Sequence, residues 1–538
     1  MTHGSPAGAV GPTRRDGRVM RSAGALAVAL VLLLALGAFV PLALEAIARK
    51  EVLGGSALTY AWRITLFTLW QAALSTVLSV LFGAALARAL ARRPRFPGRG
   101  LLVGALALPL VLPAIVAALA IIGVWGRQGP INDALAAVGL DRVSIYGLSG
   151  ILIAHVFFNM PLAARLLLRH LEAVPAERWR LAGQLGLSPT VVWRTIEWPA
   201  MRPHLGGVAL LVFALCVTSF AIVLILGGGP RYATLEVAIY QSLRFDFEPG
   251  RAVLLAFVQL ALTGVIAFAL RGREADAIEI GTGRAPRRYG QRSFAARAED
   301  MSVIGVATLF LTAPLAVLVV NGLSADLARL ASEPAVRGAV VTSLGLGFLA
   351  AALCVLVTAM LTLGGYASDG PLRGMSGAVA SLVLLVPPTV IGAGWFLALR
   401  GTGAVFSAAP VMIVTVNAAM ALPFAIRIVQ PAWQRHAARV DRTARSLGMG
   451  GASRLVRLDW PAMRPALALA FAFALALSLG DLGAVALFGS QDWTTLPLLL
   501  LQRMGSYRTT DAAGLALLLA ILSLGIVALA ALARRGAE

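Results

Sequence analysis

Leu185 to Pro203 reads LGLSPTVVWRTIEWPAMRP and Leu447 to Pro465 reads LGMGGASRLVRLDWPAMRP, two stretches 262 residues apart that close on the same six residues. At the same offset Pro161, Ala163 and Arg165 meet Pro423, Ala425 and Arg427, so the register holds for over forty residues. Farther on, an offset of 261 brings Thr234, Leu235 and Gln241 onto Thr495, Leu496 and Gln502. Upstream, Pro113 pairs with Pro388 at an offset of 275, because the first copy carries a longer loop around GRQGPINDALAAVGLDRVS. Self-similarity at one spacing is the mark of a duplicated structural unit. The chain therefore reads as two homologous halves.

Between the repeated strings the sequence is apolar. AVILMFWYC residues make up 59% of the chain, and charged residues 13%, against roughly 25% in an average soluble protein. A hydrocarbon core about 30 Å thick needs about 20 apolar residues per helix. Twelve nearly uncharged runs of suitable length occur, near 23–47, 61–86, 101–125, 146–168, 205–227, 252–270, 303–321, 338–363, 376–399, 409–428, 466–488 and 513–533. The expected fold is an all-α polytopic membrane protein of about twelve transmembrane helices, six in each half. The first run follows Arg14, Arg15, Arg18 and Arg21 like a secretory signal, but at about 25 residues it exceeds an h-region and is kept as a span.

The net charge of +21 would suit nucleic acid only if the basic residues gathered on one aqueous domain, and no segment is long enough to form one. Sorted by alternate loops, 33 of the 46 Lys and Arg residues fall in the N-terminal tail, the even-numbered loops and the C-terminus. Basic residues favour the cytoplasmic side, which places both termini inside. Both repeated strings then face the cytoplasm with an even number of spans between them. The repeat is parallel, and its expected axis runs along the membrane normal. The division is a cytoplasmic tail at 1–22, a first half at 23–270, a cytoplasmic linker at 271–300 with seven Arg, and a second half at 301–538. The linker is read as a solvated connector, with anionic lipid as a further possible contact of its Arg residues. Cys216 and Cys354 fall inside spans, where thiols behave as small hydrophobes and imply neither disulfide nor metal.

Each repeated string predicts a small helix-turn-helix knob. Ala176 to Leu185 should be helical, Gly186 should supply the left-handed turn that ends it, and Ser188 should cap the next helix with Pro189 at its first position. That second helix should stop at Trp198-Pro199, with Pro199 and Pro461 re-aiming the chain into the fifth and eleventh spans. Trp198 and Trp460 suit the headgroup level.

The spacing Ala182, Gly186, Ile196, Pro199, repeated as Ala444, Gly448, Leu458, Pro461, resembles the EAA loop of ABC-importer permeases, A-x-x-x-G-x(9)-I-x-L-P. In that family the loop is a coupling helix docking into a cleft of the ATPase subunit. Arg180 and Arg442 stand where the consensus has Glu, and Trp198 and Trp460 where it has Leu. A wider resemblance runs through ILIAHVFFNMPLAARLLL, SFAIVLILGGGPRYATLEVAIYQSLRFDFEPGRA, LSLGDLGAVALFG and LQRMGSYRTTDAA, which look like the fused permeases of bacterial thiamine importers. It implies the type I importer fold, an inner-membrane location, and alternating-access import of thiamine and its phosphate esters. It also implies a periplasmic thiamine-binding protein and a homodimeric ATPase that holds ATP and Mg. Fused ferric-iron permeases share the span count and coupling loops; a secondary ion-coupled transporter shares the two halves.

The chain itself lacks the G-x-x-x-x-G-K-[ST] phosphate loop and any cluster at metal-ligand spacing, so no catalytic, metal or cofactor residues are expected. Asp481 lies inside the eleventh span, where an ionisable group costs about 2.5–3.5 kcal/mol and should find a partner. With Ser219, Asn159 and Asn417 it forms the candidate gate or solute pathway. Asn159, Asn417, His155 and Gln71 read by default as inter-helix hydrogen-bonding groups. On the outer face, the segments Pro230 to Arg251 and Gln491 to Asp511 are too long for turns. They read as docking surfaces for the binding protein, with Asp246, Glu248, Asp492 and Arg508 as candidate contacts. Pro109, Pro113, Pro387 and Pro388 should interrupt equivalent helices.

Overall fold

The computed structural model describes residues 14–48, 55–270, 294–368, 386–405, 407–449, 451–490 and 492–535, together with Val379 and Val383. Among them there is helix and connecting turn but no strand. In the first half run α1 (Arg14–Gly37), α2 (Phe39–Ala48), α3 (Gly55–Arg92), α4 (Arg99–Ala105), α5 (Ala114–Trp125) and α6 (Pro130–Ala137). They are followed by α7 (Leu148–Glu172), α8 (Ala176–Gln184), α9 (Pro189–Val192), α10 (Trp198–Val217), α11 (Ala221–Leu226), α12 (Leu235–Arg244) and α13 (Pro249–Leu270). The second half supplies α14 (Phe294–Leu323), α15 (Leu327–Ser332), α16 (Pro334–Tyr366), α17 (Pro388–Arg400) and α18 (Ala409–Ser446). It ends with α19 (Gly451–Arg454), α20 (Trp460–Gly480), α21 (Gly483–Phe488), α22 (Leu496–Gly505) and α23 (Thr509–Arg535).

Eleven stretches among the described residues are long and apolar enough to cross a membrane. The difference from twelve falls at 376–399, where only α17 and its approach are described for the most part. The linker at 271–293 and the tail at 1–13 also lie outside the described residues; 294–300, read as linker, forms the first turns of α14, and α1 begins at Arg14 rather than near 23.

The expected proline interruptions are present. Leu108–Leu110 is a 3-10 turn containing Pro109, and Pro113, with extended ψ of 134°, caps α5. Pro387 caps α17 in the same way, with ψ of 145°. A proline ring lacks the N–H and clashes one turn back, which disfavours a regular helix, although Pro161, Pro314 and Pro423 are accommodated inside α7, α14 and α18.

Packing divides the chain into two compact units that do not follow the two sequence halves. One comprises Ala48–Arg337 with Leu496–Ile521. Within it α3 packs on α7 and α10, and α14 packs on α3 and α5. The other comprises Met1–Ile47, Gly338–Thr495 and Leu522–Glu538. Within it α18 packs on α20, and α1 lies against α17 and α18. The first helix of each half is thus exchanged. Both carry a buried stripe at helical spacing: Ala27, Val31, Ala35, Ala38 and Leu42 with α1 and its continuation, and Ile304, Ala307, Leu311, Pro314 and Leu318 on α14. The opposite faces, including Leu26, Leu33 and Val40, or Val306, Leu309 and Val320, are apolar and exposed, as lipid-facing surfaces should be.

Candidate functional site

The first repeated loop is a knob with its own core. Val174, Trp179, Ala182, Val192 and Ile196 form a buried cluster, with Leu187 and Ala200 packed against it. Gly186 has φ of +59°, and the Leu187 N–H donates to the Ala182 carbonyl at 3.1 Å, closing the turn. The motif residues therefore have separate tasks: Ala182 fits beneath the turn, Gly186 makes it, and Ile196 fills the core. Ser188 accepts a hydrogen bond from the Val191 N–H, with Pro189 in the first turn of α9.

The second loop repeats the turn. Gly448 has φ of +62°, Met449 N–H donates to the Ala444 carbonyl at 2.8 Å, and Ala444 is buried. What leads into it differs. In the first half Pro175 separates α8 from α7, whereas Ala437 stands at the corresponding place and α18 runs unbroken to Ser446.

The short helix does not stop at Trp-Pro in either copy, contrary to expectation. Trp193–Glu197 and Leu455–Asp459 are π-helical turns that pass directly into α10 and α20, with Pro199 and Pro461 in the first turn of each. The wider i→i+5 turn accommodates a proline that has no N–H to give. Arg180, Trp198 and Pro199, and likewise Arg442, Trp460 and Pro461, are exposed, while Leu458 is half-buried. Around them Leu181, Leu185, Leu447, Leu455 and Val456 are also exposed.

The residues that fasten the knobs were not anticipated. Glu197, fully buried, accepts from Arg88 Nε at 2.8 Å and from Arg92 Nε and Nη2 at 2.9 and 3.0 Å. Arg93 Nε reaches Asp300 at 2.8 Å, and Arg92 Nη1 lies 3.6 Å from the same carboxylate. In the other knob Asp459 meets His436 Nε2 at 2.8 Å and Arg454 Nε at 3.2 Å. Glu197 and Asp459 stand 262 residues apart, so an acid recurring beside each Trp-Pro was the available signal.

Within the membrane, Asp481 does not find its partner on another helix. Its carboxylate accepts the backbone N–H groups of Gly483 and Ala484, each at 3.1 Å, and so closes the first turn of α21. Ser219, its counterpart at offset 262, lies in the break between α10 and α11. Both halves thus carry an interrupted helix at the same place, an arrangement tolerated at membrane depth where protein or a cavity surrounds it. Asp481→Asn, which can still cap, should keep the normal amount of folded permease. Asp481→Ala should lose about 1 kcal/mol and lower the amount recovered from membranes, as measured by quantitative immunoblot after mild solubilisation.

Asn159 Nδ2 donates to Cys216 Sγ at 3.4 Å, joining α7 to α10, and Asn417 Nδ2 donates to Ser478 Oγ at 2.9 Å, joining α18 to α20. Cys216 and Ser478 correspond in the repeat. Ser75 Oγ and His155 Nδ1 are 3.0 Å apart, and Gln71 donates to the Cys216 carbonyl at 3.2 Å. These polar groups are used between helices, as the sequence suggests. Both cysteines are free and buried.

On the outer segments, Asp246 and Glu248 share Arg251, at 3.2 and 2.6 Å. Arg508 is exposed in the same compact unit, while Asp492, also exposed, belongs to the other. A separate network centred on buried Arg503, unforeseen from sequence, links it to Glu333 and Asp511, with exposed Arg329 also on Asp511.

A duplicated, multi-pass chain, helical and without strand among its described residues, with a structured loop at equivalent places in each half, has the organisation of a two-half membrane permease. Comparison with known proteins narrows this further. The chain is 51% identical over 512 residues to the thiamine transport system permease protein ThiP of Brucella abortus (strain 2308), covering 94% of each chain. It is 40% identical over 471 residues to ThiP of Escherichia coli (strain K12), covering 86% of this chain and 87% of that one. The molybdenum transport system permease protein ModB of Azotobacter vinelandii is 33% identical over 207 residues, 38% of this chain but 89% of its own. That is the proportion expected when one half aligns with a permease of half the size. No family model matches the chain. The chain belongs to the thiamine transport system permease family, and these relatives favour neither a ferric-iron permease nor an ion-coupled carrier.

Proposed function

We propose that this permease carries thiamine and its phosphate esters from periplasm to cytoplasm by alternating access, driven by a separate homodimeric ATPase that binds ATP and Mg. The observation that carries the ATPase reading is the knob surface. Leu181 and Leu185 with Arg180 on the first loop, which has its own core, and Leu447, Leu455 and Val456 with Arg442 and Arg457 on the second are exposed. Apolar side chains rimmed by cations suit a cleft on a protein partner. With both loops facing the cytoplasm, both termini lie there too, in the inner membrane. A periplasmic thiamine-binding protein would dock on the outer segments through Asp246, Glu248, Asp492 and Arg508, and Asp481, Ser219, Asn159 and Asn417 would border the pathway.

Reconstitution in proteoliposomes with the cognate ATPase and binding protein tests this reading. ATP-dependent uptake of labelled thiamine is expected, with no uptake of ferric iron or polyamine. Uptake that proceeds without ATP, or that prefers either control solute, would overturn it.

A further inference from the structure

Glu197 and Asp459 occupy the same position in the two loops, one residue before Trp-Pro, and both are buried. Each knob packs about its own small core or its own continuous helix, so a partner gripping it would move it as a body. On its C-terminal side each knob enters the membrane through a π-helical turn, a local irregularity of the helix; on its N-terminal side the first knob follows the break at Pro175, whereas the second continues from α18. A buried, charge-assisted hydrogen bond is a stiffer connection, because the low local dielectric strengthens it and leaving either partner alone is costly.

The connections are unequal. In the first loop Glu197 is gripped directly by two arginines of α3, one of them forked. Arg88 also stacks on Trp193 of the same π turn, 4.5 Å from the ring. Arg92 continues to Asp300 on α14. In the second loop Asp459 is held by His436 of α18 and by Arg454 of the loop itself. Among the described residues the connection reaches α16, the counterpart of α3, through a relay. Arg454 Nη2 donates to Asp441 at 2.6 Å, and Asp441 in turn accepts from the Tyr366 hydroxyl.

We propose that Glu197 and Asp459 are positioning residues that transmit motion of each loop to its membrane helices, and that this ionic connection carries more of the coupling in the first loop, where Pro175 breaks the helix leading in, than in the second, where α18 runs on unbroken. This rests on the reading of the loops as ATPase-coupling elements.

The test uses the complete transporter in proteoliposomes, with ATP hydrolysis, solute uptake and co-purification of the ATPase measured together. Glu197→Gln should keep the ATPase bound while uptake per ATP hydrolysed falls about tenfold; Asp459→Asn should lower the same ratio by only about threefold. Glu197→Asp should recover part of the loss. Arg92→Gln combined with Glu197→Gln should be little worse than Glu197→Gln alone, since the pair acts as one unit. Uptake falling only in proportion to the assembled complex would make the acids merely structural and overturn the proposal. An equal or larger effect at Asp459 would overturn the ranking. Gly186→Val separates the underlying reading. If it alters the ratio and Glu197→Gln does not, only this inference fails; if neither does, the coupling role of the loop fails with it.

Discussion

Replacing Gly186 or Gly448 with valine is expected to cut ATP-driven uptake by about tenfold or more at equal permease level. Both glycines sit at positive φ, +59° and +62°. An L-residue there costs roughly 1–2 kcal/mol, and a β-branched one resists it most. No atom lies within 4 Å of a Cβ added at either glycine, so a clash is not the cause. The backbone itself has to leave the left-handed region. Doing so pulls apart the closing bonds from Leu187 to Ala182 and from Met449 to Ala444, and with them the presentation of Leu185 and Leu447. The order of severity should be valine, then alanine, then asparagine, because asparagine visits this region most readily after glycine. Uptake in proteoliposomes, normalised to permease content, checks it. A ranking by side-chain size without rescue by asparagine would show that the surface, and not the turn, was damaged.

That turn was legible because its determinants are local. Ser188, Pro189 and Gly186 act within a few residues, and two copies reinforced the reading. The continuation of the chain through Pro199 and Pro461 was not, because a proline that usually ends a helix is tolerated where a π turn precedes it. Pairings across long separations were also hidden. Glu197 meets Arg92 105 residues away, and no periodicity encodes such a contact. Asp481 was correctly marked as needing a partner, but its own backbone supplied one, which the charge of the residue does not reveal. The exchange of α1 and α14 is the clearest limit. A soluble helix advertises its buried face by contrast with a polar one, whereas these helices are apolar on every side. On α1 and its continuation the buried stripe differs partly by small size, as at Ala27, Ala35 and Ala38; on α14, where Ile304, Leu311 and Leu318 are buried, neither size nor hydropathy marks it.

Small size is also why Gly394→Leu should have the largest effect on the amount of folded permease. In lipid no hydrophobic force draws α1 to its neighbours, so close packing and hydrogen bonds must hold it. A Cβ at Gly394 would lie 2.0 Å from the Ala38 carbonyl oxygen, and one at Gly24 would lie 2.7 Å from the Gly364 Cα. Next to Gly394, Trp395 Nε1 donates to the Leu34 carbonyl at 2.9 Å. Backbone thus meets backbone at two places along α1, and neither obstacle is the yielding end of a side chain. Overpacking typically costs about 1–3 kcal/mol and more where nothing can shift, so Gly394→Leu should displace the helix and remove most of the recoverable protein. Gly24→Leu should act in the same direction. Leu33→Ala, on the exposed face of the same helix, should leave recovery and thermal midpoint close to normal. Fluorescence-detected size-exclusion chromatography after mild solubilisation reads all three. Normal recovery and midpoint for Gly394→Leu would mean that α1 does not rest on α17 as described. A loss for Leu33→Ala equal to that for Gly394→Leu would mean that general apolarity, rather than close backbone approach, retains α1 in its unit.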